Sequence, residues 1–353
     1  MSKPLHFCIH GAGGLGSVIG AFLARSGQRV TLIARRAHVE AIRADGLKLD
    51  GVRTAFAQRD NIDAVTTPGE VEGDIDYYIL LTKGKGTEQA LADAAVLADR
   101  TATALSLQNG VGKEERLRQL FGPDKVIGGS TMEGGTLVAP GEVQNHSAVP
   151  VSTYFGEIGG GESDRTRAIA AAFDSAEVGS RSVDNIDQVL WEKLVQVGAA
   201  SSFSASTLGA IPALDFTPGI SVRAGAEHYV TISRELLSLY HAMGYRAQNF
   251  FAPLSRLREI ESSSFEEAVD DMLTLAERLS KRHAVRTSMH EDLIAGRKME
   301  VEELLGPLVE AADRLGVAIP TFLGVYRVLT TLNHYLPAEK EGAHRSALAR
   351  SPA

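Results

Sequence analysis

Cysteine is almost absent from this chain. Its 353 residues include Cys8 alone, which rules out an intrachain disulfide. Cys8 lies in an apolar run, so a buried, inert thiol is expected. Tryptophan is equally scarce, and Trp191 reads as a core or interface anchor. No apolar stretch approaches the length of a membrane span. The N-terminus lacks a basic segment followed by a long apolar run, so no signal peptide is expected. Positive charge is in deficit: 36 Lys and Arg stand against 44 Asp and Glu, for a net charge of −8. With no basic stripe to offset it, that balance argues against a nucleic-acid surface. These absences point to a cytoplasmic globular protein. The composition agrees, at 44% hydrophobic and 23% charged, and the length suits two domains.

The first half alternates. "PLHFCIH" reads as a buried strand, "GAGGLGSVIGAFLARSG" as a glycine turn and helix, and "RVTLIAR" as a second strand. "AHVEAIRADG" reads as a helix, "DIDYYILLTK" as a strand carrying Lys83 at its end, and "TATALSLQNG" as a strand ending at Asn109. Strands alternating with helices imply an α/β domain with a parallel, doubly wound sheet. Residues 126–158 are expected to be further strands finishing that sheet. After about residue 182 the pattern turns helical, with long amphipathic helices expected over 222–244, 265–281 and 300–316. The expected organisation is a dinucleotide domain over 1–183, a helical domain over 184–336 and a flexible tail over 337–353.

Gly11, Gly13 and Gly16 form G-x-G-x-x-G between a strand and a helix. The motif is weak alone and strong in that setting. Gly11 permits the tight turn, Gly13 the close approach of a pyrophosphate, and Gly16 helix–strand packing. The helix N-terminus adds N–H groups and positive dipole. The whole turn, Gly11, Ala12, Gly13, Gly14, Leu15 and Gly16, is therefore the expected cofactor cradle. At the end of the second strand an NAD enzyme usually carries an acid. Here "TLIARR" offers Arg35 and Arg36, and a guanidinium pairs well with a phosphate monoester. The expected cofactor is NADP(H); two solvated arginines are the plainer alternative.

Three further segments carry a resemblance. They are "LLTKGKGTEQAL", "LQNGVG" and "SMHEDLIAGRKMEVEELLG". With the glycine turn and "LWEKL", they make the chain similar to the ketopantoate reductase family from about residue 5 to about residue 330. The resemblance implies a Rossmann domain followed by an all-helical domain, with the active site in the cleft between them. It implies NADPH-dependent reduction of 2-dehydropantoate to pantoate, a step toward coenzyme A. It places the general acid at Lys193 and an active-site carboxylate at Glu300, which would hold Lys193 charged and accept a substrate hydroxyl. Ser288 would bind the substrate, and Asn109 the substrate or the nicotinamide ribose. Lys83 is the strand-end lysine, with Lys85 competing for that place. No metal is implied, and a homodimer is.

The residues admit plainer readings beside these. A hydride delivered to a ketone leaves an alkoxide that needs a proton, which a lysine ammonium can supply. The apolar segment around Lys193 would desolvate it and lower its pKa. The same lysine could instead snorkel to water. Glu300 could be a favourable acid at a helix N-terminus, Ser288 an N-cap, and "NG" at Asn109–Gly110 a turn pair.

The family pattern W-x-K-L-x-x-N-x-x-x-N is broken in this chain. Val197 and Ser201 stand where the resemblance expects asparagines that read the hydroxylated end of the substrate. Losing such partners weakens discrimination. A reductase of another 2-oxo acid or ketone, with a less polar pocket around Val197, is thus a second expectation. A non-catalytic NADP-binding sensor is a third, and retention of both Lys193 and Glu300 argues against it.

Overall fold

A computed structural model describes residues 3–58, 61–83, 86–147, 149–209, 211, 214–279 and 286–337. Lys85 and the expected tail beyond residue 337 lie outside the described residues. Contacts divide the described chain into two units. The first holds residues 3–108 and 112–190, and the second residues 109–111 and 191–337.

The first unit begins with β1 (His6–His10), α1 (Gly14–Arg25), β2 (Arg29–Ile33) and α2 (Arg36–Asp45). It continues through β3 (Leu47–Gly51), β4 (Ala55–Ala57), β5 (Ile62–Val65), β6 (Ile75–Leu80), α3 (Thr87–Asp93), β7 (Thr101–Ser106) and α4 (Lys113–Phe121). Five strands form a parallel sheet in the order β5-β2-β1-β6-β7. All five residues of β1 are buried at its centre, Cys8 among them. Burial pushes the Cys8 thiol up to about 12, which keeps it protonated and inert.

The strands after α4 are β8 (Ile127–Thr131), β9 (Gly135–Ala139), β10 (Glu142–Asn145) and β11 (Thr153–Glu157), followed by α5 (Asp164–Ser175) and β12 (Ser180–Ser182). Contrary to expectation they lie in other sheets, although Val126, just before β8, makes a single parallel bridge to Ala104 of β7. β8, β11 and β12 make a three-stranded sheet, while β9 and β10 join β3 and β4 in a four-stranded one. A hairpin turning at Gly141, φ +78°, aligns β9 and β10 antiparallel, and β10 then pairs parallel with β3. Strand-forming composition does not encode which sheet edge a strand joins.

The helix α6 (Ile186–Leu208) opens the helical region, and the contact boundary falls inside it, after Leu190. The remaining helices are α7 (Phe216–Ile220), α8 (Arg223–Ala242), α9 (Leu257–Ser262), α10 (Phe265–Leu279), α11 (Ser288–Ile294), α12 (Val301–Leu304), α13 (Gly306–Leu315) and α14 (Pro320–Tyr335). α8 is the hub of the second unit and touches α7, α9, α10, α13 and α14. Its buried Val230, Leu236 and Tyr240 share one core with Leu194 and Phe203 of α6 and Phe322 of α14. The single helix expected over 300–316 is two, α12 and α13. Pro307 in the first turn of α13 has no N–H to return to Glu303, so the helix cannot run through.

Candidate active site

The first unit builds the glycine turn tightly. The amides of Gly11 and Ala12 both donate to the Ile33 carbonyl at the end of β2, at 3.2 and 3.1 Å. The Ala12 amide thus shapes the turn. Gly11 sits at φ +107°, and a Cβ there would lie 2.5 Å from the Thr82 nitrogen. A Cβ on Gly14 would lie 2.0 Å from the Gly135 oxygen in β9, and one on Gly16 would lie 2.6 Å from the Gly11 oxygen. The fold itself therefore requires those three glycines. Gly13 differs: it is exposed, and a Cβ there meets nothing within 4 Å. Among the described residues, nothing in the fold itself requires that position bare. The first turn of α1, which includes the half-buried Leu15, carries no acidic residue. An open glycine and an uncompensated helix N-terminus fit a dinucleotide pyrophosphate.

Arg35 is the N-cap of α2 and Arg36 its first residue, and both are exposed. Neither guanidinium pairs with another described residue. Behind the turn, His38 of α2 is buried, with Nδ1 accepting from the Gly141 amide at 2.9 Å. That acceptor role puts the proton on Nε2, which faces the Ser17 hydroxyl at 3.0 Å. Desolvation pushes His38 down to about 4, so the ring is neutral at pH 7.

Lys83 lies three residues past the end of β6, and Asn109 three past the end of β7, so neither terminates its strand directly as expected. The loops that carry them are organised by Gln108, a residue that sequence reasoning passed over. Its carboxamide nitrogen donates to the Thr82 carbonyl and, at 2.8 Å, to the Thr87 hydroxyl. Lys113, at the start of α4, donates to the carbonyls of Gln108 at 2.6 Å and Gly129 at 3.2 Å. Burial pushes the Lys113 ammonium down and the neighbouring Glu114 carboxyl up, each partly offset by the other. The sequence signal for both residues was their place in "LQNGVGKEE", at the C-terminal edge of a strand where α/β ligands bind.

The second unit holds Lys193, 7% exposed on α6. Its ammonium donates to the Asn109 carboxamide oxygen at 2.9 Å. Asn109 is grouped with this unit because Val111, two residues on, packs against its core. The preceding residue, Glu192, is another omission of sequence reasoning. Its carboxylate is buried and accepts from the amides of Gln248 at 2.7 Å and Phe250 at 3.0 Å, and from the Tyr240 hydroxyl at 3.3 Å. Burial pushes its carboxyl up, and those hydrogen bonds oppose the shift. Glu192 thereby ties the 248–250 segment to the turn of α6 that carries Lys193. Trp191 is half-buried and packs on the same core.

Glu300 is the N-cap of α12, and its carbonyl accepts from the Leu304 amide. The residue before it is clamped by Asn333 of α14, which bonds both the Met299 amide at 2.8 Å and its carbonyl at 3.1 Å. Ser288 is not an N-cap. Thr287 caps α11 by accepting from the His290 amide, and Ser288 is the first helical residue, exposed. Val197 is half-buried one turn after Lys193, and Ser201 is fully buried with no hydrogen-bond partner for its hydroxyl. No group of His, Cys, Asp and Glu among the described residues could hold a metal ion.

A glycine turn open at Gly13 beside a parallel sheet, with a buried lysine in a helical unit, is the arrangement expected of a nicotinamide-dependent oxidoreductase acting on CH–OH groups. Comparison with known proteins narrows the class. A family model described as ketopantoate reductase PanE/ApbA matches residues 7–160, and its C-terminal counterpart matches residues 185–333. The chain belongs to the ketopantoate reductase family. It is 29% identical over 317 residues to a 2-dehydropantoate 2-reductase of Halobacterium salinarum, covering 88% of this chain and 93% of that one. The crystal structure of 2-dehydropantoate 2-reductase from Methylococcus capsulatus superposes with a TM-score of 0.74 at 28% identity, over 94% of this chain and 97% of that one. The ternary structure of D-mandelate dehydrogenase with NADH and anilino(oxo)acetate shares the fold, with a TM-score of 0.72 at 21% identity over 94% and 99% of the two chains.

Proposed function

We propose that the chain is an NADPH-dependent reductase of a 2-oxo acid, with 2-dehydropantoate as substrate, pantoate as product and Lys193 as general acid. The observation that carries this reading is the buried Lys193 ammonium held at 2.9 Å by Asn109. When bound, the nicotinamide supplies a hydride. Lys193 polarises the substrate carbonyl and hands its oxygen a proton. Asn109 sets the direction of the ammonium, which converts a flexible side chain into a placed donor. Glu300 holds Lys193 charged and accepts a substrate hydroxyl, and Ser288 binds the substrate carboxylate. Gly13 and the first turn of α1 would hold the pyrophosphate, and Lys83 and Asn109 would bind the cofactor. Arg35 and Arg36, without partners among the described residues, take the 2′-phosphate that distinguishes NADPH from NADH.

In this reading the product leads toward pantothenate and coenzyme A, in a cytoplasmic homodimer. No helix among the described residues is long and apolar enough to cross a membrane.

Val197 favours a second reading, in which a different 2-oxo acid or ketone with an apolar end is reduced. The test is NADPH consumption with 2-dehydropantoate against a panel of 2-oxo acids and ketones. Turnover with 2-dehydropantoate at least about tenfold more efficient than with any other member is the expected result. A preference for an unhydroxylated member selects the second reading.

A further inference from the structure

Helix α6 carries four serines after Lys193, and they are satisfied unequally. Ser202 and Ser206 donate to the carbonyls of Ala199 and Phe203, at 3.2 and 3.3 Å, the usual local outlet for a helical hydroxyl. Ser201 and Ser204 are fully buried and their hydroxyls have no partner among the described residues. Gln196 is 8% exposed, and its Oε1 is likewise buried without a partner among the described residues. Leaving a buried acceptor unmet costs about 1–3 kcal/mol, so such groups call for an explanation.

Helix geometry sorts the three. At about 100° per residue, measured from Lys193, Gln196 lies at about −60°, Ala200 at about −20°, Ser204 at about +20°, Val197 at about +40° and Ser201 at about +80°. All share the face that carries Lys193. At a rise of about 1.5 Å per residue, Ser201 and Ser204 are about 12 and 16 Å along the axis from Lys193. Gln196 is only about 4.5 Å along. It is the nearest of the three unmet polar groups to Lys193. The neighbours between and beside them, Val197 and Ala200, are apolar. A carboxamide oxygen can only accept, so what it lacks is a donor.

We propose that Gln196 is a specificity-determining residue. Its carboxamide oxygen accepts a hydrogen bond from a hydroxyl on the side chain of the 2-oxo acid, while Val197 and Ala200 pack against the adjoining alkyl carbons. The inference rests on the 2-oxo acid reductase reading above and deepens it. A single helix face then recognises a branched, hydroxylated side chain with one acceptor beside two apolar contacts.

The test pairs two ketones that differ by one hydroxyl: 2-dehydropantoate and 3,3-dimethyl-2-oxobutanoate. The kcat/KM of each is measured with the intact protein, with Gln196→Leu and with Gln196→Met. Methionine keeps the length of the side chain, so a folding failure of the leucine variant does not remove the test. Loss of the acceptor is expected to lower kcat/KM about 10- to 100-fold for the hydroxylated ketone and within about threefold for the other. Adding Val197→Asn to either variant is expected to restore part of the preference. Equal losses on both ketones, no loss on either, or a wild-type protein indifferent to the hydroxyl overturns the role of Gln196 while leaving the reductase reading in place. A wild-type protein that reduces neither ketone overturns the reading itself, and the inference with it.

Discussion

Lys193 and Asn109 meet through a 2.9 Å hydrogen bond although 84 positions separate them in the chain. One belongs to a helix of the second unit and the other to the three-residue insertion, 109–111, that joins this unit from the loop after β7. Replacing Lys193 by Ala is expected to lower kcat by about 10²–10⁴-fold, the range of a lost general acid, with NADPH affinity unchanged. Asn109→Ala leaves the ammonium in place but removes one of its acceptors, so a smaller fall in kcat is expected. Steady-state kinetics and a fluorescence titration with NADPH separate the two effects. Near-normal turnover of Lys193→Ala would remove it from the chemistry.

Arg35 is exposed at the start of α2 with no partner among the described residues. Its replacement by Ala should therefore cost no folding stability. It is expected to weaken NADPH binding by about 10-fold or more, the value of a charge-assisted contact to phosphate, and to leave NADH binding within about twofold. Equal losses for the two cofactors would show that the guanidinium does not read the phosphate.

The glycines of the turn separate fold from ligand. Gly11→Ala forces a Cβ to within 2.5 Å of the Thr82 nitrogen at φ +107°, so a stability loss of about 2 kcal/mol or more is expected. Gly13 has φ −84° and open space around it. Gly13→Ala is expected to keep Tm within about 2 °C while weakening cofactor binding at least about tenfold. Thermal melts with and without NADPH report both quantities.

Burial holds His10 and His38 down to about 4, from an ordinary value of 6.5. Above pH 6.5 both are neutral folded or unfolded, and their contribution is fully present. Between pH 6.5 and 4 the unfolded chain binds protons that the folded chain refuses, so stability falls with pH across that window. The expected loss is about 2 kcal/mol per histidine at pH 5, read as a lower urea midpoint than at pH 7. Glu114 and Glu192, whose carboxyls burial pushes up, give the opposite slope. His38→Asn isolates the histidine part: its pH dependence is expected to be shallower by about one histidine's share. An unchanged slope would mean that His38 is protonated without cost.

Much of the candidate site was legible because local chemistry dictates its residues. Gly11 and Gly16 are required by a tight turn and a close helix, and the sequence places them between a strand and a helix whatever surrounds them. The missing acid after β2 and the arginines in its place are equally local. So is the apolar run around Lys193, which the structure buries. The parallel sheet followed from alternation, because parallel strands need helical crossovers.

Other features depended on partners far along the chain. Nothing in "LQNGVG" states that Asn109 turns to Lys193, or that Gln108 and Lys113 pin its loop. Nothing in "LWEKL" states that Glu192 collects the amides of Gln248 and Phe250. Residues 126–158 read correctly as strands and wrongly as parts of the parallel sheet, since pairing is a choice among edges that propensity does not see. The amino-acid sequence by itself determined the cradle, the basic end of β2 and the lysine. Tertiary packing decided which oxygen holds that lysine and which polar groups on α6 remain unmet. Both are questions of distance between residues remote in sequence, and only the folded chain sets those distances.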